Sequence, residues 1–426
     1  MQLACSPRHQ NSTTAVPNHL SLYRLPWTLA DNAISWLEPT SECNLKCDGC
    51  YRQNEPRSHK PLAQVRQELD VFARLRRSDC ISIAGGDPLL YPDIVPLVRE
   101  IRARGWKPIV NTNGKALTRE LLRDLKREGV FGFTFHVDSS QHRGEPWDGK
   151  SELELCALRL QFAEMVAEAG RIACSFNSTV YVDNIAQVPQ LVHWAQEHID
   201  IVHTMVFICF RHVVPDMPFD WFAGGNQVPW DHIWYHSNEA RHVSVGTRDL
   251  VAKMREHEPE FTPAAYLNGT HQVDALKWLL TMRVGTRESI LGYIGPRLAE
   301  LATTLYHYRT GRYLSYVGPG TTRRGRLAMV LLAPIDEGLR RASRRWWVQI
   351  ARNPLRLGRK VHMQSIMFIQ PVDFTDNGDQ SMCDGCPDIT VNDGQLVWSC
   401  RLEEVKAYGH FLRSVPRRET TTTAGD

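Results

Sequence analysis

From Ala33 to Val214 the chain alternates short apolar runs with segments whose apolar residues recur every three or four positions. The first rhythm predicts buried strands and the second amphipathic helices. Strands are expected at Ile34 to Leu37, Cys80 to Ala84, Pro108 to Val110, Phe131 to Val137, Ala173 to Tyr181 and Val202 to Phe210. Helices are expected between them, at Leu62 to Leu75, Asp93 to Arg104, Thr118 to Glu128, Ser151 to Glu168 and Ala186 to His198. Strands separated by helices imply right-handed crossovers and a parallel sheet. Six such units fit an α/β fold, an open partial (β/α)6 barrel, with its ligand site at the carboxyl ends of the strands.

Beyond Val214 the alternation stops. Residues 215–263 are rich in Trp, His, Gly and Pro, including Trp221, Trp230, Trp234, His232 and His236, and read as an irregular insertion. Helical patterning is read from His271 to Lys360, with a mostly apolar run from Leu327 to Ile335. The expected division is an N-terminal extension (1–32), a barrel (33–214), an irregular then helical insertion (215–363), a small cysteine-containing module (364–413) and a disordered tail (414–426).

Composition narrows the class. The mean hydropathy is -0.34, and no apolar run approaches the roughly 18 residues of a spanning helix. Fifty basic residues are nearly matched by forty-seven acidic ones, so nucleic acid is not expected as a partner. No secretory signal is read between Met1 and Ala30, and a cytoplasmic location is expected. Six of the eleven cysteines fall into two spaced triplets. Of the other five, Cys80, Cys156, Cys174 and Cys209 lie in apolar segments and read as core thiols, while Cys5 is isolated near the N-terminus.

The first triplet, Cys43, Cys47 and Cys50, has C-x3-C-x2-C spacing just after the first predicted strand, and Tyr51 follows directly. Three thiolates on one loop suit a metal centre, and the absence of a local fourth ligand suits an iron-sulfur cube with one open iron. A structural zinc loop is the alternative. This motif resembles the signature of the radical S-adenosylmethionine (SAM) superfamily. The resemblance implies a [4Fe-4S] cluster on the three cysteines, SAM chelated to the open iron, and Tyr51 packed near the adenine. It also implies reductive cleavage of SAM to a 5′-deoxyadenosyl radical that abstracts hydrogen from a substrate, with an electron donor such as a flavodoxin or ferredoxin.

Gly85-Gly86-Asp87-Pro88 ends the second strand. Glycine lets backbone approach a ligand closely, although a tight turn into a helix would use the same residues. The tetrad resembles the family's Gly-Gly-Glu-Pro motif, which holds the amino group of SAM, with Asp87 in place of the commoner Glu. Asn111, Thr112 and Asn113 end the third strand, and the resemblance suggests SAM contacts there; turn capping is the plainer role for Asn113. His136 and Asp138 share one face of the fourth strand and are candidates for contact with SAM or substrate, or for a satisfied core pair. Asn177, mid-strand, is a further candidate.

The second triplet is Cys383, Cys386 and Cys400, with Asn392-Asp393-Gly394 marking a hairpin before the last cysteine. Its spacing is similar to the auxiliary [4Fe-4S] site of the molybdenum cofactor biosynthesis protein A family, and implies a second cluster. A zinc knuckle completed by His362 or His410 is the alternative. The two triplets are expected to face each other across the barrel with substrate between them.

Between Arg340 and Lys360 lie eight basic residues together with Trp346 and Trp347. Residues 339–360 therefore read either as a basic amphipathic helix suited to an anionic membrane or substrate, or as a solvated helix packed on the barrel. A small metabolite, a peptide or a lipid all remain candidate substrates. A non-catalytic iron-sulfur or zinc protein is the competing functional class.

Overall fold

The computed structural model describes residues 17–210, 213, 217–234, 236, 245–375 and 378–417. Cys5 and residues 418–426 lie outside these.

One eleven-stranded sheet organises the molecule. Its strands are β1 (Tyr23–Arg24), β2 (Ile34–Thr40), β3 (Cys80–Gly85), β4 (Lys107–Thr112), β5 (Gly132–His136), β6 (Ala173–Val180), β7 (Thr204–Cys209), β8 (Ala265–Leu267), β9 (Trp278–Gly285), β10 (Ile290–Ile294) and β11 (His362–Ile369). The order is β1-β8-β9-β11-β7-β6-β5-β4-β3-β2, with β10 paired to β9. Strands β2 to β7 are consecutive and parallel, as six βα units require. β11 joins as a seventh parallel strand beside β7. The sheet stays open, and its two edges are β1 and β2.

Helices α1 (Leu62–Leu75), α2 (Ile94–Ala103), α3 (Arg119–Arg127), α4 (Cys156–Ala169) and α5 (Val188–Glu197) cover one face. The packing follows strand alternation. Ile81, Ile83, Phe133, Phe135, Cys174 and Phe176 join Val65, Leu69, Phe72, Leu97 and Phe162 in the main core. Alternate residues, among them Ser82, Thr134, His136, Ser175 and Asn177, must then face the barrel interior. Helix α4 starts later than its apolar spacing suggests. Glu152 is buried against Arg159 and accepts the Ser139 amide, which holds residues 151–155 in turns.

The region expected to be helical differs most. Trp278–Gly285 and Ile290–Ile294 are strands that extend the sheet, and helices begin only with α7 (Pro296–Thr310), after α6 (Thr247–His257). α8 (Gly325–Leu332) and α9 (Glu337–Arg352) follow, and α9 lies on β10. In the insertion, Phe219–Ala223 pairs with Asn226–Val228 and with Arg413–Pro416, so residues 414–416 belong to a strand rather than to a disordered tail.

His203, directly before β7, is buried, and the Cys174 amide donates to its Nδ1 at 3.0 Å. Burial lowers its pKa to about 4. An unfolded histidine takes up its proton near 6.5, so the unfolded state binds more protons between those values. Stability present above about pH 6.5 is therefore lost as pH falls toward 4, by about 3 kcal/mol from this residue. His203→Gln is expected to flatten that limb in urea denaturation profiles.

Candidate functional site

β2 delivers the chain into the first cysteine loop, and the loop is braced on every side. The Cys43 amide donates to Asn54 Oδ1 and Asn54 Nδ2 returns a bond to the Cys43 carbonyl, both at 2.9 Å. Lys46 and Cys47 pair with His142 and Gln141 as a short antiparallel ladder. The Asp48 amide donates to the Ser140 carbonyl, the Tyr181 hydroxyl to the Asp48 carbonyl, and the Trp234 indole to the Cys50 carbonyl. Among these braces, none of Asn54, Gln141, Tyr181 or Trp234 carries a sequence signal of its own.

The Gly85–Asp87 turn lies directly beneath the start of this loop. The Gly86 amide donates to Thr40 O at 2.9 Å and the Asp87 amide to Glu42 O at 2.7 Å. A Cβ on Gly86 would stand 2.1 Å from the Glu42 carbonyl oxygen, and Gly85 has φ of +107° with its Cβ position 2.2 Å from Thr40 O. Pro88 then opens a short 3-10 turn.

Asp87 is fully buried and binds the third strand instead of opening toward a ligand. Its carboxylate accepts from the Leu89 amide, the Thr112 hydroxyl and the Asn113 amide at 2.8–2.9 Å. Burial raises its pKa despite these donors. Asn113 is drawn onto the loop, with Nδ2 3.6 Å from Cys43 Sγ and 2.8 Å from Asn44 Oδ1. Asn111 reaches only the Ile83 carbonyl, at 3.5 Å. Arg143, unmarked in the sequence, ties Asn113 O to His136 O.

His136 and Asp138 form a pair, Nε2 to Oδ2 at 2.7 Å, and Thr179 Oγ1 lies 3.2 Å from the same nitrogen. Burial alone would raise the Asp138 pKa, yet the His136 ring and the Ser140 and Thr179 donors hold it well below the usual carboxylate range. The His136 side chain is 37% exposed while Asp138 is buried, so the imidazole is the member that can meet a ligand. Asn177 is its register partner on β6. Tyr51 sits beside Arg52, whose guanidinium lies 5.0 Å from its ring centroid, and burial raises the phenol pKa.

The second triplet lies at the seam of the open sheet. Cys383 and Cys386 are in side-chain contact and Cys400 is electrostatically close to Cys383. The predicted hairpin is present as β12 (Ile389–Asn392) and β13 (Gln395–Trp398), with Asp393 and Gly394 both at positive φ. One end of the module is held at β1, where Arg24 pairs with Asp384 at 2.6 Å. The other is held at β2, where Asn32 donates to Gly385 O and Arg52 donates to the Ser399 carbonyl at 2.7 Å. The module therefore bridges the two sheet edges, and Arg52 ties the residue before Cys400 to the end of the first cysteine loop. His362 begins β11, whereas Cys383 bridges Gly269 beyond the far end of that strand. Seven residues of strand put them about 23 Å apart, which removes His362 as a ligand.

Both triplets fit an iron-sulfur group by their donor chemistry. Burial raises the pKa of Cys43 and Cys47, and the neighbouring thiols with Asp87 or Asp138 raise it further. Contact with Cys383 and burial hold Cys386 far above the ordinary thiol value, and burial pushes Cys400 up to about 12. These shifts hold the free thiols protonated, so keeping all three as thiolates would take a bound positive centre. Among the described residues no three His, Cys, Asp or Glu side chains converge as a site for a single metal ion.

Residues 37–200 match the Radical SAM superfamily. This stretch is a radical SAM domain. It holds Cys43, Cys47, Cys50, the Gly85–Pro88 turn and the β4 and β5 carboxyl ends, and the family uses a [4Fe-4S] cluster and SAM. The chain is 31% identical over 109 residues to a tungsten-containing aldehyde ferredoxin oxidoreductase cofactor-modifying protein of Pyrococcus furiosus, covering 24% of this chain and 30% of that one. It is 24% identical to Fe-coproporphyrin III synthase of Methanosarcina barkeri, covering 49% of each chain. It is 26% identical to PqqA peptide cyclase of Streptomyces rochei, covering 40% and 48%. The matches thus span about a third to a half of these relatives. Among solved structures, Streptococcus suis SuiB bound to S-adenosylmethionine aligns with a TM-score of 0.37 and 15% identity over 54% of this chain and 48% of that one.

Proposed function

We propose that this chain is a radical SAM enzyme acting on a polar small molecule or peptide, with a second cluster on Cys383, Cys386 and Cys400 that binds substrate or relays electrons. The supporting observation is the convergence of the Cys43–Cys50 loop, the Gly85–Gly86 backbone and Asn113 at one barrel mouth. Cys43, Cys47 and Cys50 would hold the cluster, which would supply, from a flavodoxin or ferredoxin, the electron needed for reductive cleavage of SAM.

The protein's own part is positioning. Gly85 and Gly86 leave room for the Thr40–Glu42 backbone, so the turn seats the segment that leads into Cys43. Asn113 fixes Cys43, and Asp87 fixes Asn113. His136, oriented by Asp138, presents an imidazole edge toward the interior. The interior walls favour a polar guest. Trp36 Nε1 and Ser175 Oγ are buried there without hydrogen-bond partners, a cost that polar groups of a substrate or bound water would relieve. The names of two relatives, a peptide cyclase and a porphyrin synthase, support the same range of substrates.

Anaerobic reconstitution with iron and sulfide tests the reading. About eight irons per chain are expected, with release of 5′-deoxyadenosine on addition of SAM and reductant. Cys47→Ala is expected to abolish the release. Zinc uptake without SAM cleavage would sink the proposal.

A further inference from the structure

Eight of the eighteen large apolar side chains that stand exposed among the described residues fall within residues 327–357. They come from three adjoining elements. α8 contributes Leu327, Val330 and Leu331, which share one helix face; Ile335 follows; α9 adds Trp347 and Val348; and the turn Pro354–Gly358 adds Leu355 and Leu357. Leu355 is 86% exposed.

This surface is built rather than loose. The inward sides of α8 and α9 are anchored by Met329, Leu339, Ala342 and Trp346 in a core of their own. Arg326 donates to the carbonyls of Leu357 and Arg359 at 2.6 Å, and its guanidinium lies over the Trp346 ring. One arginine thus clamps all three elements into a single platform.

The charge is one-sided. Residues 319–360 hold eleven basic side chains and two acidic ones. Asp336 is buried as the cap of α9, and Glu337 is paired with Arg341. Arg323, Arg324, Arg344, Arg352 and Lys360 make no ion pair with a carboxylate among the described residues.

We propose that this platform docks on an anionic phospholipid surface, its leucines and Trp347 in the headgroup layer and its arginines on the phosphates. Apolar tips ringed by free cations are what a boundary between water and anionic lipid accommodates. No helix among the described residues is long and apolar enough to cross a membrane, so the platform lies on the bilayer.

The geometry also orients the site. The Pro354–Gly358 turn leads into His362, the start of β11, and β11 runs parallel to β7. The platform therefore lies at the amino ends of the parallel strands, opposite the mouth that holds the cysteine loop. Docking points that mouth away from the lipid, so substrate enters from water. A lipid substrate drawn from the same bilayer would meet the wrong end of the barrel.

The test is co-sedimentation of the full-length, reconstituted protein with vesicles of phosphatidylcholine alone or mixed with phosphatidylglycerol. Binding to the mixed vesicles at low salt, lost at high salt and absent with phosphatidylcholine alone, is expected. Arg344→Glu with Arg352→Glu should weaken binding at least ten-fold, since each basic residue near such a surface contributes about five-fold. Leu355→Glu with Leu357→Glu should weaken it comparably, with iron content unchanged in both variants. No binding to mixed vesicles at low salt, equal binding to neutral vesicles, or unaltered binding by the leucine variant would overturn the proposal.

Discussion

Gly86→Ala is expected to cut 5′-deoxyadenosine release about 100-fold while leaving the far-UV circular dichroism unchanged. The added methyl would stand 2.1 Å from Glu42 O, 2.5 Å from Glu42 C and 2.6 Å from Ser41 O. All three are backbone atoms, so no side chain can rotate away. The segment that must move is the one directly preceding Cys43, and a shift there displaces the first thiol from its partners. A displacement near 1 Å at a reacting centre costs about two orders of magnitude, whereas overpacking of this kind costs only about 1–3 kcal/mol of stability. Gly320→Ala is the control, because a Cβ at Gly320 meets nothing within 4 Å. Wild-type cleavage by Gly86→Ala would show that the turn does not set the geometry of the loop.

Local pattern explains why this part of the site was legible. α1 falls on Leu62–Leu75 as expected, because Val65, Leu69 and Phe72 recur at helical spacing and all are buried. The glycine pair closes a strand, and Asp393-Gly394 supplies the positive φ angles of a tight hairpin. What failed was β9, Trp-Leu-Leu-Thr-Met-Arg-Val-Gly, read as part of a helical region. It is a central strand covered on both faces, so it lacks the alternation of a half-buried one. Even Arg283 is inside, its guanidinium satisfied by Gln364 and the Val192 carbonyl. β11 was missed for a related reason, since nothing local shows that His362–Ile369 returns to lie parallel to β7, more than 150 residues earlier.

The placement of the C-terminal module was hidden in the same way, by a contact 347 residues apart. Arg52 looks like any basic residue after Tyr51. In the fold its side chain is 2% exposed and pairs with Glu38 and Glu403, while its guanidinium donates to the Ser399 carbonyl and hydroxyl. Burial opposes the Arg52 charge, and Glu38 with Glu403 more than restores it. One cation therefore joins β2, the residue after the first cysteine loop and the residue before Cys400.

Arg52→Met is accordingly expected to lower stability by about 3–5 kcal/mol, the cost of leaving a buried ion pair without one partner. Two carboxylates lose that partner at once. Glu38 keeps a bond from the Ser399 hydroxyl at 2.7 Å, and Glu403 keeps Lys406 at 3.2 Å, so Glu38 bears the larger share of the loss. Urea denaturation reads this loss directly. Replacing Glu38 as well, by Leu, should recover part of the loss by removing the stranded charge. Iron content is the second readout. If Arg52 holds Cys400 in place, the variant should fall from about eight irons toward four. A variant that keeps eight irons and wild-type stability would mean that the Arg24–Asp384 and Asn32–Gly385 contacts anchor the module without Arg52.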